Sequence, residues 1–446
     1  MVYLGLDIGT TNTKAVVLGR DGELLDALTL SMSSETDWCG RFAQALDSLA
    51  ARGHLTATRI ACSVTGQGGS FVLLDDRFQP AGDPVAWTDL AHEETVQSLI
   101  DTLGIQEFYG RTGWPPHGWL AACKLREIVA EGRLPKAARY VATVPDAIYA
   151  RLARRLVTDI TSAQITGLAD FQRGVWSADI LAWAGITPDE LAPIETELKV
   201  VCEGIVSSWG PLTLVTGSHD QYAAMQAAGL AADHSVMLGT GTAWVINSRT
   251  QGPVFDRADC SIHPGRDLLP GGFGTITTLG QIGAGFDRLC RRLGIAADSL
   301  SEDALVEPPR ETVQVDLDTG NLDPASTGRV ALQRYMEWAA AGVRLALEQT
   351  GCLAALERLV AVGGAMSNRV WAQIIADVCG RPVEAIDFPE FTAWGAASHA
   401  MMACAATTTR QGLPASAKRQ VYQPRRTQAY ECWYQRHQQR VGEGRV

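Results

Sequence analysis

The sequence predicts an α/β protein built as two duplicated halves, and three observations carry that prediction. Short β-branched strands alternate with stretches of helical apolar spacing along the chain. Most of those strands end in polar, glycine-rich loops, the usual place for ligand contacts in open α/β sheets. A strand–turn–strand unit rich in Gly and Thr also occurs twice, once at 3–18 and again at 236–246. The repeat predicts two related domains facing one another across a central cleft.

The bulk properties agree. At 446 residues the chain has length for two or three domains. It is 46% hydrophobic and 20% charged with 44 glycines, the composition of a soluble α/β enzyme. A net charge of −11 argues against a general nucleic-acid binder. A strand begins by residue 3 and no apolar run reaches membrane-spanning length, so neither a signal peptide nor a membrane is expected. The ten cysteines stand singly with no CxxC pair. Reduced thiols in a cytoplasmic protein are therefore expected, without a disulfide framework or zinc site.

In chain order, Tyr3, Leu4 and Leu6 form the incoming strand of the first unit and Ala15 to Leu18 the outgoing one. Between them, Gly9 lets the backbone approach a bound group. Thr10, Thr11 and Thr13 can donate to phosphate oxygens, Lys14 adds positive charge, and Asp7 is a hard oxygen ligand suited to Mg²⁺ held against a nucleotide. By itself such a turn is also compatible with an ordinary hairpin. A strand over 23–30 and a helix over 37–53 follow. Arg59–Val64 is the next strand, ending in Thr65-Gly66-Gln67-Gly68-Gly69-Ser70, and Phe71–Leu74 another. Pro84-Val-Ala-Trp87-Thr-Asp89 reads as a further strand-end carrying a Trp and a carboxylate. Helices are expected over about 90–103 and 118–131, a polar loop at 157–162, and a helix around Ile180, Leu181 and Trp183.

The strand Leu212–Val215 runs into Thr216-Gly217-Ser218-His219-Asp220-Gln221, followed by an alanine-rich helix over 222–229. The second hairpin then carries Gly239-Thr240-Gly241-Thr242. A glycine-punctuated stretch containing Gly283 leads into a helix over 286–293, and 301–328 reads as an acidic surface excursion. A long helix through Leu332 and Leu347 precedes a strand over 359–362. That strand ends in Gly363-Gly364-Ala365-Met366-Ser367-Asn368, where Ser367 or Asn368 can N-cap the next helix. The glycines there let a flat ring lie on the backbone. A small-residue helix starts at 392. Tyr422, Tyr430, Trp433 and Tyr434 predict a terminal helix packed on its domain rather than a basic nucleic-acid tail.

These four stations, Asp7–Lys14, Gly217–Asp220, Gly239–Thr242 and Gly363–Asn368, resemble in order the motifs of the FGGY family of carbohydrate kinases. The resemblance covers essentially the whole chain. It implies two duplicated ribonuclease H-like domains of the actin-like ATPase fold around a central cleft, divided here as 1–216 and 217–446. It implies ATP and Mg²⁺ as cofactors, Asp220 as general base and Asp7 as the Mg²⁺ ligand. Gly9, Thr10, Thr11, Thr13, Lys14, Gly239, Thr240, Gly241, Gly283, Gly363, Gly364, Ser367 and Asn368 would contact the nucleotide. Gln67, Gly68, Trp87, Asp89 and Asp220 would contact the sugar. Asp220 can also serve an Asx-turn or helix N-cap, and Gln67 and Asp89 can equally be satisfied loop residues. A Trp such as Trp87 belongs to a core more often than to a sugar platform.

The pattern departs from the family at the substrate loops. Where the xylulokinase-like branch has Gly-Gln-Met-His-Gly, this chain has Gly66-Gln67-Gly68-Gly69-Ser70. Where an Arg is expected after Trp87-Thr88-Asp89-Leu90, it has Ala91, which loses a fork of fixed donors. The expected activity is phosphorylation of a ketose such as a pentulose. An erythritol-like polyol kinase and a catalytically weak sugar-binding regulator are the alternatives. His219 reads as structural or orienting, His117 as a surface residue, and Lys124 is given no role. A DNA-binding regulator would carry a helix-turn-helix ahead of the first hairpin, and a chaperone a peptide-binding domain after the last helix; neither is expected here. The partners expected are a small-molecule sugar or polyol and, from the resemblance, a second copy of the chain.

Overall fold

The computed structural model describes residues 1–31, 37–55, 59–230, 235–302, 305–308, 313–323, 325–405 and 412–442, the side chains of 440–442 aside. Two compact units emerge that are not continuous in sequence. The first joins Met1–Gly229, Gln251–Gly274 and Glu390–Pro414; the second joins Leu230–Thr250, Thr275–Pro389 and the chain from Ala415 onward. The first unit thus runs past residue 216 and takes two later segments back.

The sheet of the first unit contains β1 (Val2–Ile8), β2 (Asn12–Leu18), β3 (Leu24–Ser31), β4 (Ile60–Gly66), β5 (Val200–Ile205) and β6 (Leu212–Val215) in the order β5-β6-β4-β1-β2-β3. A two-residue strand β7 (Ser218–His219) also pairs β4. β1 lies antiparallel to β2, with Asp7 opposite Lys14, and parallel to β4, with Asp7 opposite Thr65. β7 continues beside β4, with His219 opposite Gly66. The carboxyl ends of β1, β4 and β7 therefore lie side by side, and the site residues of this unit are the ones that emerge there. Between β6 and β7 the chain breaks its ladder. Tyr149 fills the break: its hydroxyl donates to Val215 O at 2.6 Å and accepts from Val64 N at 2.9 Å.

The returning helix Phe391–Ala405 packs on β1, β2 and β4. Its approach requires glycine on both sides. A Cβ on Gly5 would lie 2.1 Å from Ala393 O, and one on Gly395 would lie 1.8 Å from Ala223 O. The helix at 392 was legible as small-residue; which sheet its small face would meet was not.

In the second unit, β8 (Ser235–Thr240), β9 (Trp244–Thr250), β10 (Phe273–Thr278), β11 (Arg358–Val362), β12 (Val383–Asp387) and β13 (Lys418–Tyr422) run in the order β10-β9-β8-β11-β12-β13. Its core gathers Trp244, Phe286, Tyr335 and Trp371, with Trp371 4.8 Å from Trp244 and 4.5 Å from Phe286 by ring centroid. The terminal helix Thr427–Gly442 packs as expected, burying Tyr430, Trp433 and Tyr434. Tyr430 donates to the buried Glu337 at 3.0 Å, and the Arg344 guanidinium stands 4.0 Å over the Tyr434 ring.

Several local expectations change. The 84–89 stretch is a loop held by one bridge, Phe71 to Val85, because Pro84 and the turn at Asp89 leave no run of paired residues. The 157–162 loop is a short strand, Thr158–Asp159, that Asp159 caps directly into the helix Ile160–Gln164. Phe273–Thr278 is a strand that the surrounding glycines hid, and the helix after it starts at Ile282. Ile105–Thr112 is an additional helix. The 301–328 excursion carries a small hairpin, Gln314–Asp316 with Asn321–Asp323, and lies partly outside the described residues. All ten cysteines are free thiols. Among the described residues no helix is long and apolar enough to cross a membrane.

Candidate active site

The first unit brings two carboxylates together. Asp7 lies one residue before the end of β1, and Asp220 opens the helix Asp220–Ala227 directly after β7. Burial pushes the Asp7 carboxyl up to about 7, and the negative charge of Asp220 adds to that rise; Lys14 and Arg41 oppose it. Asp220 keeps 29% of its side-chain surface yet sits deep enough that desolvation raises it to about 6, against hydrogen bonds from Gln221. A pair of carboxylates that repel each other in a poorly hydrated pocket is a setting that a divalent cation would stabilise.

The hairpin after Asp7 divides its threonines between two faces. Thr11 is exposed and Thr10 half-buried at the turn, which Gly9 closes by donating to Asn12 O at 3.0 Å. Thr13 is fully buried and turned inward: the Arg41 Nε donates to its hydroxyl at 2.9 Å, and Arg41 Nη2 reaches Gly9 O at 2.8 Å. That hydroxyl is engaged in holding the turn, not displayed beside it. Arg41, invisible as a site residue in the sequence, is the clamp.

The loops after β4 meet the hairpin through Gln67. Thr10 donates to Gln67 Oε1 at 2.6 Å, and the Trp87 indole Nε1 reaches Thr10 Oγ1 at 3.3 Å. Trp87 is 38% exposed, so it is no core residue. Asp89 is exposed and accepts from Ala86 N at 2.9 Å, closing its own turn. Gly69 adopts φ +77°, and a Cβ there would press on the Trp119 ring at 3.0 Å; glycine is required on both counts. Gly68 lies against His219, whose Nε2 would be 2.6 Å from an added Cβ.

Lys124 belongs to this constellation, although nothing in its sequence context sets it apart from a solvated helical lysine. It is 4% exposed, and its ammonium donates to Gly69 O at 3.0 Å and Ala86 O at 2.6 Å. It thereby ties the 66–70 loop to the 84–89 loop. Burial lowers its pKa to about 8, with the Asp89 charge opposing. His117 is exposed, as read. Elsewhere in the unit, His92, Glu127 and Glu131 place ligand atoms within 4.8 Å of one another. Glu127 there already accepts from His92 N and Thr95 Oγ1, closing the start of the helix Glu93–Leu103, so its position has a structural cause.

In the second unit the other predicted residues also converge. A Cβ on Gly283 would lie 2.1 Å from Gly241 O, and Gly363, at φ +111°, would press a Cβ on Thr240 at 2.9 Å. The second hairpin, the start of the helix Ile282–Leu293 and the 363–368 loop therefore touch backbone to backbone. Gly239 and Gly241 have room for a side chain. The Thr240 hydroxyl donates to Val362 O at 2.8 Å, and Ser367 Oγ to Gly364 O at 2.8 Å. Asn368 is the helix cap: its Oδ1 accepts from Val370 N and Trp371 N, and its Nδ2 donates to Ala297 O. Gly364 and Ser367 are exposed.

Comparison with known proteins fits this picture. The family model for the N-terminal domain of the FGGY family of carbohydrate kinases matches residues 2–226, and that for the C-terminal domain matches residues 321–404. The chain is 28% identical over 441 residues to a xylulose kinase of Streptomyces coelicolor, covering 90% of this chain and 87% of that one. It is 27% identical to a gluconokinase of Bacillus subtilis over 203 residues, 43% of this chain and only 39% of the length of that relative. Among solved structures, xylulose kinase from Rhodospirillum rubrum superposes with a TM-score of 0.85 at 23% identity, covering 100% of this chain and 99% of the other. Gluconate kinase from Lactobacillus acidophilus gives 0.82 at 18% identity, covering 99% and 98%. The fold is theirs, and with both of the family's domains matched along its length the chain belongs to the FGGY family of carbohydrate kinases.

Proposed function

We propose that this chain transfers the γ-phosphoryl group of ATP to a hydroxyl of a small sugar, a ketose such as a pentulose. The observation that carries the reading is the pairing of Asp7 and Asp220 at the carboxyl ends of β1 and β7, the two strands that flank β4, each pushed toward neutrality. Asp220 takes the proton as the sugar oxygen forms its bond to the γ-phosphorus and the bond to the bridging oxygen breaks, releasing ADP. A carboxyl raised to about 6 is ionised at neutral pH yet basic enough to accept that proton. Asp7 would hold Mg²⁺, which when bound supplies charge compensation on the phosphates. The mutual repulsion of the two carboxylates fits such a cation.

Around the phosphates, Gly9, Thr10, Thr11 and Lys14 are the proposed contacts of the first hairpin, with Thr13 shaping it through Arg41. Gly239, Thr240, Gly241, Gly283, Gly363, Gly364, Ser367 and Asn368 are proposed for the nucleotide. There Thr240 and Asn368 act by holding backbone in place, since their polar atoms are already engaged. Gln67, Gly68, Trp87 and Asp89 are proposed for the sugar. Gly68, Gly69 and Ala91 lack the side chains of the xylulokinase-like pattern, and this favours, as the second reading, an erythritol-like polyol or a relative that binds sugar with weak turnover. The chain's relatives include kinases of xylulose and of gluconate, and both belong in the substrate panel.

The test is ADP release with Mg-ATP across ketoses, aldoses, gluconate and polyols, for wild type beside Asp220→Asn. One compound should stimulate strongly, and the variant should lose about 10²- to 10⁴-fold in kcat. An unchanged rate in the variant removes Asp220 from the role of base. ATP binding with no stimulation by any compound favours the weak-turnover relative.

A further inference from the structure

We propose that Lys124 is a positioning residue for the sugar, its buried ammonium setting the distance between the loop that carries Gln67 and the turn that carries Trp87 and Asp89. The inference rests on the reading of those three residues as sugar contacts, but its first test needs no sugar.

Lys124 stands on the helix Ala121–Ala130, which is a firm support. Ala121, Ala122, Cys123, Leu125 and Ile128 are buried, and Ala122 N donates to Thr166 O at 2.9 Å. With 4% of the residue exposed, the ammonium has given up its water, which is costly unless its protons find acceptors. Two carbonyls supply them, Ala86 O at 2.6 Å and Gly69 O at 3.0 Å, and the Phe71 ring centroid lies 5.8 Å away. Each carbonyl stands where its loop is shaped. Gly69, two residues after Gln67, is the left-handed residue of its loop at φ +77°. Ala86 O also accepts from Asp89 N at 3.1 Å, while Ala86 N donates to Asp89 Oδ2 at 2.9 Å. Ala86 therefore closes the turn that holds Trp87 and Asp89.

The tie acts on backbone, and that decides its role. The two loops also meet through the backbone bonds of Phe71 and Val85, at 3.1 and 2.8 Å, and through Trp87 N donating to Ser70 Oγ at 2.9 Å. Lys124 adds a cation bound to carbonyl oxygens, and such charge-assisted bonds are stronger than the neutral ones beside them. The Gln67 amide and the Trp87 indole meet at one hydroxyl, that of Thr10, at 2.6 and 3.3 Å, so a shift of either loop reaches both side chains. Lys124 thus works through the loops and not on the reacting atoms. Removing it should loosen the sugar and leave the nucleotide and the base as they are.

The first test reads the Trp87 indole N–H in ¹⁵N-tryptophan-labelled protein without ligand, assigned with Trp87→Phe. Lys124→Met, which keeps the length of the side chain and removes its donors, should shift that signal while those of Trp244 and Trp371 in the second unit stay in place. A Trp87 signal that does not move overturns the proposal whether or not a sugar substrate is found. Lys124→Gln, which keeps a donor amide, carries the same readout should the methionine variant fail to fold. The second test compares KM and kcat on whichever panel compound stimulates ADP release. Lys124→Met should raise KM for that compound about 10²-fold, with KM for ATP within about 3-fold and kcat within about 10-fold. In Lys124→Ala, added propylammonium, the piece of side chain that is missing, should recover part of the lost affinity for the sugar. An unchanged KM for the compound, or equal rises in its KM and that of ATP in variants folded by circular dichroism, would reduce Lys124 to a packing residue. A panel with no active compound counts against the kinase reading, and the indole signal still decides this one.

Discussion

The two glycine–threonine hairpins share a sequence pattern and do different physical work. The first, from β1 into β2, begins on a carboxylate, has a lysine opposite it, and is clamped from beneath by the buried Arg41. The second, from β8 into β9, has no ionisable group between Gly239 and Thr242 and is held by backbone packed on backbone at Gly283 and Gly363. One turn is an electrostatic device, the other a steric one. A repeat in sequence thus predicts a repeat of backbone path, while the chemistry depends on what packs beneath each turn.

That contrast can be broken in order of expected effect. Gly283→Ala should damage the second turn most. Its Cβ would meet Gly241 O at 2.1 Å, which backbone cannot yield, so a loss on the order of 3 kcal/mol or more is expected in thermal unfolding. Gly239→Ala, with 3.7 Å of room, is the control that should unfold near wild type. A Gly283→Ala protein as stable as that control would show that the turn is not sterically locked.

The first turn should instead respond to pH. Asp7 binds its proton more tightly folded than unfolded, so between about 4 and about 7 the native state holds the extra proton and stability falls as pH rises, levelling off above about 7. The part due to Asp7 should be on the order of 4 kcal/mol, read by denaturant titration in chelator as the difference between wild type and Asp7→Asn, since Asp146 and Asp220 are raised as well. Asp7→Asn should have a shallower slope than wild type, with the remainder belonging to Asp146 and Asp220, and Mg²⁺ should reduce the slope in wild type. Parallel curves for wild type and Asp7→Asn from pH 4 to 7 would mean that Asp7 is not desolvated in solution.

Arg41→Ala tests the clamp. It removes charged hydrogen bonds to Thr13 and Gly9 and should cost about 2 kcal/mol, with weaker ATP binding by calorimetry. The smallest effect belongs to the second unit's cap: Asn368→Ala should cost about 1 kcal/mol, and Asn368→Asp much less, since Oδ1 does the capping. Should the aspartate and alanine variants melt alike, the Nδ2 bond to Ala297 would be what matters.

Much of the fold was legible because period and punctuation are local. The apolar runs of 3–6 and 15–18, the apolar spacing of 37–53 and 332–347, and glycine at strand ends each report on neighbours a few positions away. The aromatic terminal helix was legible in the same way, and so was a cap at Ser367 or Asn368, of which Asn368 takes the role. Local signals failed where glycine served long-range packing, as around the strand Phe273–Thr278, or where two-residue strands carried too little pattern.

In the candidate site, the sequence by itself determined which groups could do chemistry: Asp7, Asp220, the threonines and the glycine loops, each set by residue type at the end of a strand. Only the tertiary structure decided how each is used. It turned Thr13 inward to Arg41, put Lys124 between two loops, exposed Trp87, and set His219 into the space left by Gly68. It also carried the helix Phe391–Ala405 back onto the first sheet, where Gly5 permits the approach. The reason is physical: a residue's type fixes which bonds it can form, but burial, desolvation and the partner within 3 Å are supplied by residues far along the chain.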